Sequence, residues 1–120
     1  MKSTLYHNPK CGTSRNVMKI LKENNVDITV IEYLKEPLSV EELKELLSKL
    51  NLESEGLMRK NQDEYSLIIL IHQRMLLPSM AEDEKIKTIH KNPILMERPI
   101  VITSKGAKIC RPKEVVYDLL

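Results

Sequence analysis

Phenylalanine and tryptophan are absent from this sequence, and tyrosine occurs only four times. A core built from such a chain must rest on Leu, Ile, Val and Met instead of aromatic rings. Cysteine is equally scarce. The two present, Cys11 and Cys110, make neither a disulfide framework nor a metal site, and they fit a compartment in which thiols stay reduced. Long hydrophobic runs are missing too: the longest, LIILI at 67–71, falls far short of the ~20 residues that span a bilayer. The opening segment MKSTLYHNPK has no apolar signal core. Nor does one sign of charge dominate, since 19 basic residues face 17 acidic ones. Nucleic-acid or membrane partners recruited by bulk charge are therefore not expected. The expectation is a soluble, cytoplasmic protein.

What is present reads as one α/β domain over residues 1–120, long enough for a real core. STLY at 3–6 suits a short strand. From Thr13 to Asn24, Val17, Ile20 and Leu21 keep helical spacing, and DITVIEY at 27–33 is a β-branched strand. Strand, helix and strand in about 30 residues make a parallel βαβ unit. Ser39 and Glu42 form a capping box ahead of a stripe of Val40, Leu43, Leu46, Leu47 and Leu50. A second such pair, Ser79 and Glu82, opens a helix with Ile86 and Ile89. Ser54–Lys60 and Asp63–Met75 read as further helices. PIVITS at 99–104 and AKIC at 107–110 read as a hairpin turning through Lys105-Gly106. Pro112 then suits the start of a last helix that buries Val115, Val116 and Leu119. The string is βαβ, a helical insertion over about 38–95, and ββα, packed on a small mixed sheet.

One segment carries chemistry. In YHNPKCGTSRN, residues 6–16, Cys11 falls where a strand turns into a helix. Unpaired N–H groups and the positive end of the helix dipole favour a thiolate there and would also hold an oxyanion. His7 and Arg15 lie close enough in sequence to add positive charge. A lone cysteine is often just a buried, inert residue, but the junction and its polar surroundings favour a nucleophile. Ser14 stands where a Cys-x-x-Cys motif would have its second thiol, which excludes a dithiol cycle within the loop. Its hydroxyl has two candidate roles, a hydrogen bond to the Cys11 sulfur and capping of the helix. Cys110, on an apolar strand, reads as a small buried hydrophobe.

The same segment resembles the active-site loop of the glutaredoxin-dependent arsenate reductases, a family with a thioredoxin-like fold and a helical insertion. GLMRKN at 56–61, NPILMERPIV at 92–101 and CRPKEVV at 110–116 resemble three more motifs of that family, in order. The likeness covers nearly the whole chain, with a poorer match over Ser66–Asp83. It implies that Cys11 is the nucleophile, that His7 and Ser14 tune its thiolate, and that Arg59, Arg98 and Arg111 grip the oxyanion. Guanidinium forks suit that task, although only the resemblance singles out these three arginines. It also implies that Pro99 is cis and faces the cysteine.

The activity so implied is reduction of arsenate to arsenite through a Cys11–arsenic adduct. Glutathione would serve as co-substrate and glutaredoxin as protein partner, with no metal and no tightly bound cofactor. Two other readings remain open. One is a regulator similar to the Spx proteins, which bind RNA polymerase; Ser14 argues against the redox-sensing version. The other is a glutathione-dependent thiol reductase without arsenate activity, against which the three arginines argue.

Overall fold

Lys2–Tyr6 forms β1, with Ser3 and Leu5 pointing inward, the period-2 pattern of a strand. A computed structural model describes residues 1–59 and 81–120 of the chain. They fall into a sheet unit, Met1–Pro37 with Arg98–Leu120, and a helical unit, Leu38–Glu97.

In the sheet unit β1 is followed by α1 (Gly12–Glu23), β2 (Asp27–Ile31), β3 (Ile100–Thr103), β4 (Gly106–Ile109) and a 3-10 helix, Lys113–Leu119. The sheet order is β2-β1-β3-β4. β1 and β2 run parallel, whereas β3 is antiparallel to both β1 and β4. This mixed four-stranded sheet carries the thioredoxin-like arrangement expected from the sequence. The helical spacing of Val17, Ile20 and Leu21 puts all three in the core beside Leu5, Val26, Val101, Cys110, Val116 and Leu119. Burying one such aliphatic side chain stabilises by roughly 1.5–3 kcal/mol, so the α1 stripe alone anchors the helix to its sheet.

Three details of this unit depart from the sequence reading. β2 ends at Ile31, and Tyr33 beyond it is completely buried, so an aromatic ring does join the aliphatic core. The hairpin turns through Ser104-Lys105, not Lys105-Gly106. Gly106 already pairs with Thr103 and has φ +138°, a conformation that glycine adopts without steric cost. The closing helix is 3-10, and Pro112 precedes it; Val116 and Leu119 are its buried residues, with Val115 partly buried against the core.

The helical unit contains α2 (Val40–Leu50), α3 (Ser54–Leu57), α4 (Glu82–Lys91) and a 3-10 turn, Pro93–Leu95. The Ser39 capping box forms as expected, with the Glu42 N–H donating to Ser39 Oγ (3.1 Å) and the Ser39 N–H to Glu42 Oε1 (3.0 Å). Asn51 ends α2 in the left-handed conformation, φ 57°, which lets its N–H reach back to the last carbonyls. α4 packs on α2 and α3, burying Ile86 and Ile89.

Glu82 does not cap its own helix. Its carboxylate accepts from the Ser54 N–H (2.9 Å) and the Ser54 hydroxyl (2.7 Å), so it caps the start of α3 across 28 positions. Ala81 occupies the N-cap of α4 without a side-chain bond. α3 stops at Leu57, and Met58 bridges to Met96. The expected helix at Asp63–Met75, the cap at Ser79 and the LIILI run lie outside the described residues.

Candidate active site

The site begins where β1 runs out. The His7 N–H still donates to Ile31 O of β2 (2.8 Å), which carries the sheet one residue past Tyr6. The next four residues, Asn8-Pro9-Lys10-Cys11, form a turn closed by the Cys11 N–H on Asn8 O (3.0 Å). Asparagine first and proline second is the residue order that such turns favour. The Lys10 N–H donates to Asn8 Oδ1 (3.0 Å). The turn delivers Cys11 as the N-cap of α1, with φ −92° and ψ 122°, and its carbonyl accepts the first helical bond from the Arg15 N–H (3.0 Å).

Cys11 is half-buried and free. Burial is the largest single influence on its thiol and opposes ionisation, yet the net shift is downward. The groups that overcome burial are the Ser14 N–H, the Arg111 guanidinium, the charge of Arg98 and the Thr13 N–H. Arg111 Nη1 lies 3.7 Å from the sulfur and also donates to Arg98 O (3.3 Å). Two backbone amides at a helix start and two guanidinium groups thus surround one thiol, the setting that converts a weakly nucleophilic thiol into a thiolate. The same donors suit a small tetrahedral oxyanion held beside the sulfur.

Ser14 acts differently from either role that its position allows. It is fully buried, and its hydroxyl bonds with His7 Nδ1 (2.7 Å) and accepts from the Asn8 N–H (3.1 Å). Its backbone N–H, not its hydroxyl, serves the Cys11 sulfur, and the N-cap position belongs to Cys11. His7 is disfavoured as a source of positive charge. Burial holds its ring below the ordinary histidine range, with Arg15 and Lys22 pushing the same way against Glu32. Arg15 is exposed and donates from Nη1 to Pro9 O (2.8 Å), tying the helix back to the turn.

The sheet unit therefore brings together Cys11, His7, Ser14, Arg98 and Arg111. Arg59 belongs to the helical unit, where it is largely buried. Its N–H donates to Leu95 O (2.7 Å) and its Nη1 to Ile94 O (3.4 Å). The Arg98–Pro99 bond is cis. Cys110 is fully buried in the sheet-unit core, and burial pushes its thiol up to about 12. Among the described residues no group of three or more His, Cys, Asp or Glu is placed to hold a metal ion. No helix among them is long and apolar enough to cross a membrane. Sequence reasoning passed over Asn8 and the Thr13 amide; the Asn-Pro pair ahead of Cys11 was the visible signal.

Comparison with known proteins bears on this arrangement. The model of the ArsC family matches residues 6–119. An arsenate reductase of Escherichia coli is 40% identical over 117 residues, covering 98% of this chain and 79% of that protein. One from Acidiphilium multivorum is 39% identical over the same share of each. The structure of an arsenate reductase from Vibrio cholerae superposes with a TM-score of 0.89 at 35% identity, covering 100% of this chain and 98% of that one. With the family model matched over residues 6–119 and an arsenate reductase 40% identical over 98% of its length, the chain belongs to the ArsC family.

Proposed function

We propose that the protein is an arsenate reductase that draws its electrons from glutathione and glutaredoxin. The observation that carries the reading is the Cys11 sulfur at the start of α1, 3.7 Å from Arg111 Nη1 and within the field of Arg98. In this reading Arg59, Arg98 and Arg111 neutralise the oxyanion, and His7 and Ser14 hold the loop whose amides face the thiolate.

Cys11 thiolate attacks As(V), an S–As bond forms and an arsenate oxygen leaves as water. The glutathione sulfur then attacks the Cys11 sulfur. An S–S bond forms, the S–As bond breaks, and its electron pair stays on arsenic, which departs as arsenite. Each sulfur has lost one electron and arsenic has gained two. Glutaredoxin removes glutathione from Cys11 by thiol–disulfide exchange. Two thiols supply all the electrons, so no tightly bound cofactor takes part. The chemistry belongs in the cytoplasm, where glutathione is reduced.

The test uses the purified protein with arsenate, glutathione, glutaredoxin and glutathione reductase, following NADPH consumption. Turnover should need every component and vanish in Cys11→Ser. NADPH consumption that is unchanged without arsenate would identify a thiol reductase instead.

A further inference from the structure

We propose that Asn8 is a positioning residue for Cys11: its side-chain oxygen, by holding the Lys10 amide, fixes the 8–11 turn so that the sulfur meets the first amides of α1. The inference rests on the reading of Cys11 as the reactive thiol.

Asn8 is only 9% exposed, and three of its polar atoms are engaged within the loop. Its N–H donates to Ser14 Oγ (3.1 Å), its carbonyl accepts from the Cys11 N–H (3.0 Å), and Oδ1 accepts from the Lys10 N–H (3.0 Å). One residue thereby ties the end of β1 to the turn, to the cysteine and to the first turn of α1. The two main-chain bonds survive substitution by any residue but proline, but neither holds the Lys10 amide, whose flanking dihedrals are soft. Many turns lack a closing bond altogether; the side-chain bond removes that freedom by mimicking a further backbone turn. The cysteine must keep the extended N-cap conformation, φ −92° and ψ 122°, for its sulfur to face the Thr13 and Ser14 amides. Rotation at either residue would turn the sulfur away from them.

The choice of amide over acid follows from the same geometry. Aspartate would accept from Lys10 equally well, but its negative charge in the same four-residue turn as the cysteine would favour the thiol form. Asparagine gives the acceptor without the charge.

The test measures the Cys11 thiol pKa from the pH dependence of iodoacetamide labelling in the wild-type protein, Asn8→Ala and Asn8→Ser. Labelling needs no arsenate and no reductant. Asn8→Ala should raise the pKa by about one unit, leaving about tenfold less thiolate below it. Asn8→Ser, whose hydroxyl can form the same kind of turn more weakly, should recover part of the shift. An unchanged pKa in Asn8→Ala overturns the proposal, as does a shift equally large in Asn8→Ser, which would point to lost packing. A wild-type Cys11 that titrates as an ordinary thiol would instead defeat the underlying reading of Cys11. If Asn8→Ala does not fold, amide exchange decides: rapid exchange at Lys10 in the native wild-type protein overturns the proposal, and protection supports it.

Discussion

Ser14 Oγ lies 2.7 Å from His7 Nδ1, so a hydroxyl in the first turn of α1 is bonded to a ring at the end of β1. The pair is buried on both sides. It joins strand to helix beneath the cysteine loop and reaches Cys11 only through the backbone that it holds.

This geometry predicts the response to losing the hydroxyl. Ser14→Ala leaves His7 Nδ1 and the Asn8 N–H without that partner in a buried site, a loss of roughly 1–3 kcal/mol. Urea unfolding should show that loss. A variant as stable as wild type would mean that another group or water replaces the hydroxyl at no cost.

The lowered titration of His7 gives stability a pH dependence of definite sign. The unfolded chain takes up a proton on His7 as pH falls through the ordinary value of about 6.5, while the folded ring, held lower by burial, stays neutral. Protons therefore favour the unfolded chain. The contribution of His7 is complete above about pH 7 and is lost as pH falls toward the folded-state value. Unfolding free energies from pH 5 to 7.5 should rise with pH, and His7→Asn should flatten that slope. Equal slopes in the two proteins would contradict the assignment.

The elements that were legible in the sequence are those written in local patterns. Period 2 marks β1, period 3.6 marks α1, and Ser39 with Glu42 is a complete capping box within four residues. Readings failed where the partner lies far along the chain. Glu82 looks like a local cap, but Ser54, 28 positions away, offers two donors at once. Ser14 looks like a cap or a sulfur ligand because His7 is invisible as a partner until β1 and α1 are docked. Tyr33 carries a hydroxyl that argues for the surface, and only the surrounding packing reveals its burial. Arg98 and Arg111 meet at the cysteine through sheet topology, since β3 and β4 lie on the far side of β1 from β2. No spacing rule encodes that meeting, and the family resemblance alone selected those residues.

Cys11 and Cys110 should separate cleanly in reactivity. The first is half-buried with a lowered thiol, and the second is fully buried with a thiol pushed up to about 12. Limited iodoacetamide labelling near neutral pH, mapped by mass spectrometry, should modify Cys11 alone. Cys11→Ser should abolish activity, whereas Cys110→Ala should largely keep it. Faster labelling of Cys110 in the folded protein would reverse the assignment.

The arginines should divide by burial. Arg111 is exposed and Arg98 half-buried, so Arg98→Ala and Arg111→Ala should lower kcat/KM about ten- to a hundredfold, the loss of roughly 1.5–3 kcal/mol from a charge-assisted contact. Their melting temperatures should move little. Arg59 is buried against the Ile94 and Leu95 carbonyls, and Arg59→Ala should lower the melting temperature as well as activity. Full activity in any of the three would remove that arginine from the proposed oxyanion-binding set.

An external thiol should be obligatory, because the described part of the site offers no second sulfur fit to resolve the first. Reduction of arsenate takes two electrons, and one cysteine cannot supply both and end as a disulfide. Cys110 is the only other cysteine in the sequence. Its sulfur is packed in the core among Leu5, Val101 and Val116, and a thiol titrating near 12 is almost wholly protonated at neutral pH, so it is a poor attacking group. A bond to Cys11 would also need the two Cα atoms within about 7 Å and the Cys110 side chain turned out of the core. One turnover with arsenate and glutathione, in the absence of glutaredoxin, should leave Cys11 joined to glutathione, about 305 Da heavier, as expected for a mixed disulfide. Intact-mass analysis would detect it, and digestion would place it on the peptide holding Cys11. A loss of two hydrogens together with a Cys11–Cys110 peptide would mean an intramolecular cycle, and Cys110→Ala would then stop turnover where this mechanism requires it to continue.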